Sequence, residues 1–480
     1  MPAEIATKTR QRDFATIVVA SLVFFALNVD FLLYGDASLY GDYALRQKIT
    51  EVTLHFGYYW LLIVVQSTLG NLLHVPMQET MVWVNVVAGA LSMGIAYLLA
   101  LELLGTRRDA WVTIAIFAFS GRVVGNATTS EMYMVQTLCV LWSFLLFVRT
   151  RIIAAGILAG AALLVSPLSA FAYLFFPVFD YQRARKIRIG TLAALTAAAA
   201  VVYVPYLVVY GHELLWGARG LLVIREGTKS SLSSTLINFP KYQFKEFTFL
   251  LLLLAPACLA IRKNQKFFAL AAAVAIPHIY IILKLTGEDN VFILNTDFFF
   301  SAILALGWMA LASRKWGWWG GATLLAAHVG VYIASGALFS FETHKDYADE
   351  MRAFSRSYLA DPGNMVVTDW GTGTALTFFS RPQATTTILE EPFFHQIYDM
   401  ERPAVANPNL TSARELYLID RWKPTPLNRF FRTKESIREQ YNIHSNKLIA
   451  ERELHLSCTS LFEKTNKYYR CKLNPAVTSP

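Results

Sequence analysis

The chain has 480 residues, of which 55% are hydrophobic and 16% charged, and its formal net charge is +9. Together with a mean hydropathy of +0.39, this is too apolar for a soluble globular chain of such length. The basic residues lie in short clusters between apolar runs, without a basic stripe interleaved with aromatics, so the charge reads as an orientation signal in a polytopic membrane protein and excludes nucleic acid as a partner.

The first stretch, MPAEIATKTRQRDF, places Lys8, Arg10 and Arg12 ahead of an apolar run with no small-residue cleavage site, and predicts an uncleaved first span. A hydrocarbon core about 30 Å thick takes roughly 20 helical residues per crossing, and on that rule the apolar runs predict about eleven spans. They fall at 14–34, 80–104, 109–124, 131–149, 153–165, 168–179, 190–210, 246–261, 266–284, 293–313 and 317–339. The short basic turns at 106–108, 149–151, 181–188, 262–266 and 313–315 then all share the side of the N terminus. Counting YYWLLIVVQSTLGNLL (58–73) as another span would move the first three of these turns across the membrane. It is therefore read as a re-entrant or interfacial segment on the outer face.

Beyond Phe339 the chain turns charged and proline-punctuated, with strand-like runs NMVVTDW (364–370) and ELYLIDRW (415–422). The expected organisation is an all-α membrane domain over 1–339 and a small α/β domain over 340–480, outside the cytoplasm. Cys139 and Cys258 fall inside spans, whereas Cys458 and Cys471 flank SLFEKTNKYYR and are expected to close a hairpin disulfide in an oxidising compartment.

The loops on the outer side carry the chemistry. YGDASLYGDYALR (34–46) puts Asp36, Tyr40, Asp42 and Arg46 directly behind span one. A carboxylate at that depth is costly unless solvated or paired, which makes Asp36 a functional candidate, against the plainer reading of a helix cap. The second outer loop, SGRVVGNATTSEMYMV (120–135), adds Arg122 and Glu131; HFGYYW brings His55, Tyr58 and Tyr59; and the long loop 212–247 carries Arg219 and Arg225 in an amphipathic, helical arrangement. Such a set suits a reaction that needs a base and an anion clamp. Asp30, Asp297 and His328 fall inside spans, and the sequence ties none of them to a site.

The order of span one, a D-x-x-x-Y outer loop (Asp36, Tyr40), a histidine leading into Tyr-Tyr (His55, Tyr58, Tyr59) and a second outer loop with an acid (Glu131) resembles the GT-C superfamily of polyprenyl-phosphate-dependent glycosyltransferases, among them the protein O-mannosyltransferases and lipid A aminoarabinose transferases. The run AAGILAGAALLVSP (154–167) looks like that family's short helical hairpin. The resemblance implies a sugar on a polyprenyl phosphate as donor, a glycan, lipid or protein acceptor, membrane lipids as surroundings, and inverting transfer on the outer face of a bacterial inner membrane or of the endoplasmic reticulum. Asp36 would be the base, Glu131 would position the acceptor, and Tyr40, Asp42, Arg46, His55, Tyr58, Tyr59, Arg122, Arg219 and Arg225 would bind substrate. No cofactor is implied with certainty; a divalent metal stays open, since His55 has no partner at metal-binding spacing.

Two departures stand out. Phe56 and Gly57 replace the family's double proline after the histidine, and GEDNVFILNTDFFF (287–300) lacks the arginine that many members carry near the tenth span. A transporter or flippase of a lipid-linked substrate is the alternative; it would call for two related halves with paired helix breaks, which the sequence does not display.

Overall fold

The structure is a computed structural model, and it describes residues 3–32, 40–42, 44–45, 55–227, 240, 243–244, 246–286, 294–313, 316–335, 338–339, 344–389, 410–421 and 446–474. It divides into two compact units, 1–29 with 48–334 and 30–47 with 335–480.

The first unit is helical. In chain order it holds α1 (Ala3–Ala26), α2 (Phe56–Val65), α3 (Met77–Leu104), α4 (Arg107–Ala118), α5 (Gly121–Thr128), α6 (Tyr133–Val148), α7 (Ile152–Val165), α8 (Phe175–Ala184), α9 (Ile189–Gly227), α10 (Leu254–Ala260), α11 (Gln265–Thr286), α12 (Leu294–Ala312) and α13 (Gly317–Ala334). Among the described residues, Met77–Leu104, Ile189–Val209 and Leu294–Ala312 are long and apolar enough to cross a membrane. The pair Arg107–Ala118 and Gly121–Thr128, bent by 64°, makes a fourth if it is one broken span. Shorter apolar helical stretches lie at Tyr133–Val148, Ile152–Val165, Thr248–Ala260 and Gln265–Ile276. Span 168–179 is a 3-10 segment, Pro167–Leu174, followed by the ten residues of α8. Pro167 at its first turn lacks an N–H, and Pro177 limits the helix that follows.

Consecutive helices joined by short turns run antiparallel, and the polar contacts respect that alternation. At the end that carries the basic turns, Tyr97 donates to Asp13 at 2.6 Å, Arg107 clasps the same carboxylate at 2.6 and 2.7 Å, and Arg149 meets Glu102 at 3.2 Å. Arg183 reaches the carbonyl of Val148 and Gln182 that of Lys266 at the same end. At the opposite end the two caps of α2 bond to two helix termini: His55 Nδ1 donates to the Val165 carbonyl at 2.9 Å, while Gln66, the residue after α2, accepts from Thr80 at 2.7 Å. Both ends of α2 thus touch the same end of the bundle, and Trp60, Val64 and Leu69 are exposed along it. Tyr58, Tyr59 and Leu62 of α2 are buried.

Gly156 and Gly160 on α7 face α9. A Cβ built on Gly156 would lie 2.4 Å from the Leu195 carbonyl oxygen, and one on Gly160 would lie 2.6 Å from that of Ala199. Small residues four apart let two apolar helices approach closely where lipid supplies no hydrophobic drive. Gly156→Leu should therefore lower the thermal midpoint of the detergent-solubilised chain, with an overpacking penalty of about 1–3 kcal/mol. Gly190→Leu, where nothing lies within 4 Å of the added carbon, should leave it unchanged; equal shifts for the two would refute the close packing.

The second unit is built on a five-stranded sheet, β1 (Met365–Asp369), β2 (Thr385–Leu389), β3 (Leu416–Arg421), β4 (Leu456–Glu463) and β5 (Asn466–Leu473), in the order β2-β1-β3-β5-β4. β1 pairs parallel with β2 and β3, and β5 pairs antiparallel with β3 and β4. Both strand-like runs of the sequence are strands at its centre. Val367, Leu416, Leu418, Leu456 and Tyr469 pack on one face; on the other, Phe354 of α14 (Tyr347–Tyr358) meets Tyr417 and Tyr468. The remaining helices are α15 (Trp370–Ser380) and α16 (Asn446–Glu453). Cys458 and Cys471 stand opposite each other on β4 and β5 and form the expected disulfide. At the carboxyl ends of β1 and β3, Asn446 donates to Asp369 at 2.9 Å and its backbone N–H to Asp420 at 2.9 Å. Burial pushes the Asp420 carboxyl up to about 6, against the pull of the Asn446 N–H and with the Asp369 charge adding to the rise.

Candidate active site

At the end of the bundle away from the basic turns, the first unit holds two polar clusters. The first is organised by Gly121, where a Cβ would lie 2.5 Å from the Tyr332 hydroxyl and 2.9 Å from Glu246 Oε2. Only glycine admits that approach, and it brings the next residue, Arg122, into the bundle. The Arg122 side chain is 2% exposed. Its Nη1 donates to Asp297 at the start of α12, its backbone N–H donates to Glu246 at 2.6 Å, and its Nε lies 3.5 Å from the same carboxylate. Tyr332 of α13 donates to the Glu246 carbonyl at 3.0 Å. His328, one turn earlier, donates from Nε2 to the Phe119 carbonyl at 2.8 Å and so accepts from Thr248 at Nδ1, at 2.7 Å. Three chain segments are tied together through one guanidinium and two carboxylates, and Tyr332 adds a fourth through the Glu246 backbone carbonyl.

The second cluster involves four residues expected at the site, His55, Tyr58, Tyr59 and Glu131. Tyr58 is fully buried and its hydroxyl donates to the Ser130 carbonyl at 3.1 Å; Asn85 of α3 donates to the Thr129 carbonyl at 2.9 Å and lies 3.4 Å from the same hydroxyl. Glu131, half-buried, is near enough to act on Tyr58 electrostatically. His55 caps the end of α7 through Val165, and Tyr59 is buried. Gly57 explains the missing double proline: a Cβ there would sit 3.0 Å from the Leu164 carbonyl carbon and 3.1 Å from the Val165 nitrogen. The first turn of α2 rests directly on the end of α7, and a proline ring would not fit between them.

In the second unit Tyr40 is buried, and Asp42 lies 3.8 Å from Arg381 with its side chain 13% exposed. Asp36 and Arg46 lie outside the described residues. Arg219 and Arg225 fall on α9, which continues the predicted amphipathic stretch as helix to Gly227, but their side chains are outside the described set. Among the described residues no three histidine, cysteine or carboxylate groups stand together as a metal site.

The Arg122 guanidinium is buried between two carboxylates of its own chain, which compensate its charge within the bundle. Sequence reasoning missed Glu246 and Asp297 as its partners. The available signal was their position: three ionisable residues at span boundaries on one side are expected to find one another rather than lipid.

A helical unit with three helices long and apolar enough to cross a membrane among the described residues is thus followed by a unit built on a mixed five-stranded sheet. No protein-family model matches the chain, and no curated protein matches it in sequence. The structure is similar to that of ArnT from Cupriavidus metallidurans bound to undecaprenyl phosphate, with a TM-score of 0.52 and 12% identity over 97% of this chain and 98% of that one. It is also similar to the oligosaccharyltransferase AglB from Archaeoglobus fulgidus in complex with an inhibitory peptide and a dolichol-phosphate (TM-score 0.50, 11% identity, 78% of this chain and 64% of that one). The arabinofuranosyltransferase AftD from Mycobacteria matches at a TM-score of 0.51 and 14% identity over 97% of this chain, which spans 40% of AftD.

Proposed function

We propose that the chain is an integral membrane glycosyltransferase that moves a sugar from a polyprenyl phosphate to an acceptor on the extracytoplasmic face. The observation that carries this reading is the fold itself, shared along 97% of the chain with a protein captured on undecaprenyl phosphate. The gathering of Tyr58, Asn85 and Glu131 at the end opposite the basic turns supports it, because a lipid-linked donor presents its sugar at such a boundary. The N terminus is then cytoplasmic and the second unit extracytoplasmic.

In this mechanism Asp36 takes the proton from the acceptor hydroxyl or amine as the nucleophile attacks the anomeric carbon. The C–O bond to phosphate breaks on the opposite face, inverting the configuration, and the electron pair leaves with the phosphate. Tyr40 orients the first loop, and Glu131 positions the acceptor. Arg46, Arg219 and Arg225 supply charge-assisted donors to the departing phosphate; Asp42, paired with Arg381, is the reserve acid. His55, Tyr58 and Tyr59 hold α2 against the bundle, where the carrier chain would lie.

A photoactivatable polyprenyl phosphate tests the carrier's position. Crosslinked peptides should concentrate in 46–62 and 212–229, and an excess of natural polyprenyl phosphate should compete the label away. Labelling spread evenly over the lipid-facing helices and insensitive to competitor would remove the basis for a bound carrier.

A further inference from the structure

Four residues beyond α1, Asp30 accepts a hydrogen bond from the Leu32 backbone N–H at 2.9 Å and meets His344 Nδ1 with the same oxygen at 2.8 Å. Both belong to the second unit, and their side chains are 6% and 4% exposed. A carboxylate oxygen only accepts, so Nδ1 carries the hydrogen, which in the neutral ring leaves Nε2 with a free lone pair. Among the described residues nothing bonds to Nε2. A buried polar atom left without a partner is unfavourable. The backbone of His344 is also held at φ +47, in the left-handed region. A strained residue whose ring is oriented by a carboxylate and whose second nitrogen is unmatched has the form of a ligand-facing group.

We propose that His344 Nε2 accepts a hydrogen bond from a hydroxyl of the carbohydrate the protein handles, with Asp30 as the residue that positions the ring. This rests on the glycosyltransferase reading above and adds a specificity-determining residue to it. The hydroxyl can belong to the transferred sugar or to the acceptor. Because the ring is covered in the ligand-free chain, the ligand has to displace that cover, so the bond is felt in KM more than in kcat.

The test uses the full chain in nanodiscs, polyprenyl-phosphate-linked arabinose, glucose and mannose as donors, and single-deoxy analogues of whichever donor is cleaved. His344→Asn keeps a donor toward Asp30 but has no atom at Nε2. It should raise the KM of the intact sugar about 10-fold to 100-fold, and the one deoxy analogue that the wild type handles poorly should become as good a substrate as its parent. If the defect is present when water is the acceptor, the hydroxyl is the donor sugar's; if it is present only in transfer to an added acceptor, it is the acceptor's. A variant that folds and discriminates the analogues as the wild type does would overturn the proposal. If the wild type cleaves no donor, the glycosyltransferase reading fails, and the proposal fails with it. Nitrogen-15 spectra of the histidine rings, with His344 identified by difference, check the tautomer without turnover: a hydrogen on Nε2 in the ligand-free chain would overturn the assignment independently.

Discussion

Asp36→Asn should lower sugar transfer by about 10²- to 10⁴-fold, the range over which a positioned general base contributes, with little change in donor KM. Asparagine has nearly the shape of aspartate and keeps a hydrogen-bond acceptor, but it does not take a proton at neutral pH. A loss confined to kcat would separate proton removal from binding. Asp42→Asn is the paired control. Asp42 is in the same loop but faces Arg381 at 3.8 Å, so its replacement should cost less than tenfold, the scale of a partly exposed ion pair. Full activity in Asp36→Asn together with a dead Asp42→Asn would transfer the base to Asp42. Full activity in both would remove the first loop from the chemistry.

The largest expected effect on stability is at Arg122. Arg122→Ala strands Glu246 and Asp297 in the bundle without a counter-charge, and breaking a buried pair on one side typically destabilises by about 3–5 kcal/mol. The solubilised chain should then melt far below the wild type or fail to stay monodisperse. The matched triple change Arg122→Met, Glu246→Gln and Asp297→Asn removes the charges together and should recover much of that loss, because the residues share one network and their effects are not additive. An Arg122→Ala midpoint within a degree of the wild type would mean that water compensates the carboxylates and that the cluster is not dry. Recovery of stability in the triple variant, but not of transfer, would show that the cluster also sets the geometry of the second outer loop through Gly121.

The sequence displayed the helical class of the first unit, two strands of the second and the Cys458–Cys471 hairpin, because each rests on a local pattern: an apolar run, an alternating run or a cysteine pair across a short turn. It also distinguished 58–73 from a span, since only one placement kept the basic turns together, and Gln66 bonded to Thr80 agrees with that placement. Span lengths were less legible. Hydropathy does not register that Arg107–Ala118 bends by 64° into Gly121–Thr128. The partners of Arg122 were hidden for another reason. Glu246 and Asp297 lie 124 and 175 residues away in the chain, and no periodicity links residues that only the packing of separate helices brings together. The pairing of Asp30 with His344, 314 residues apart, is hidden in the same way. The resemblance carried the fold because its motifs track helix order; a motif shows which residue type is present and not what surrounds it.

The central claim is bond cleavage on a lipid carrier, and the most direct measurement is the fate of a doubly labelled polyprenyl-phosphate sugar, given to the purified chain in sealed proteoliposomes. The account predicts release of free polyprenyl phosphate with the sugar label appearing on an acceptor or in water on the extracytoplasmic side, and no release by Asp36→Asn. Intact donor that changes leaflet with both labels still joined would contradict it and make the chain a carrier of the lipid rather than a transferase.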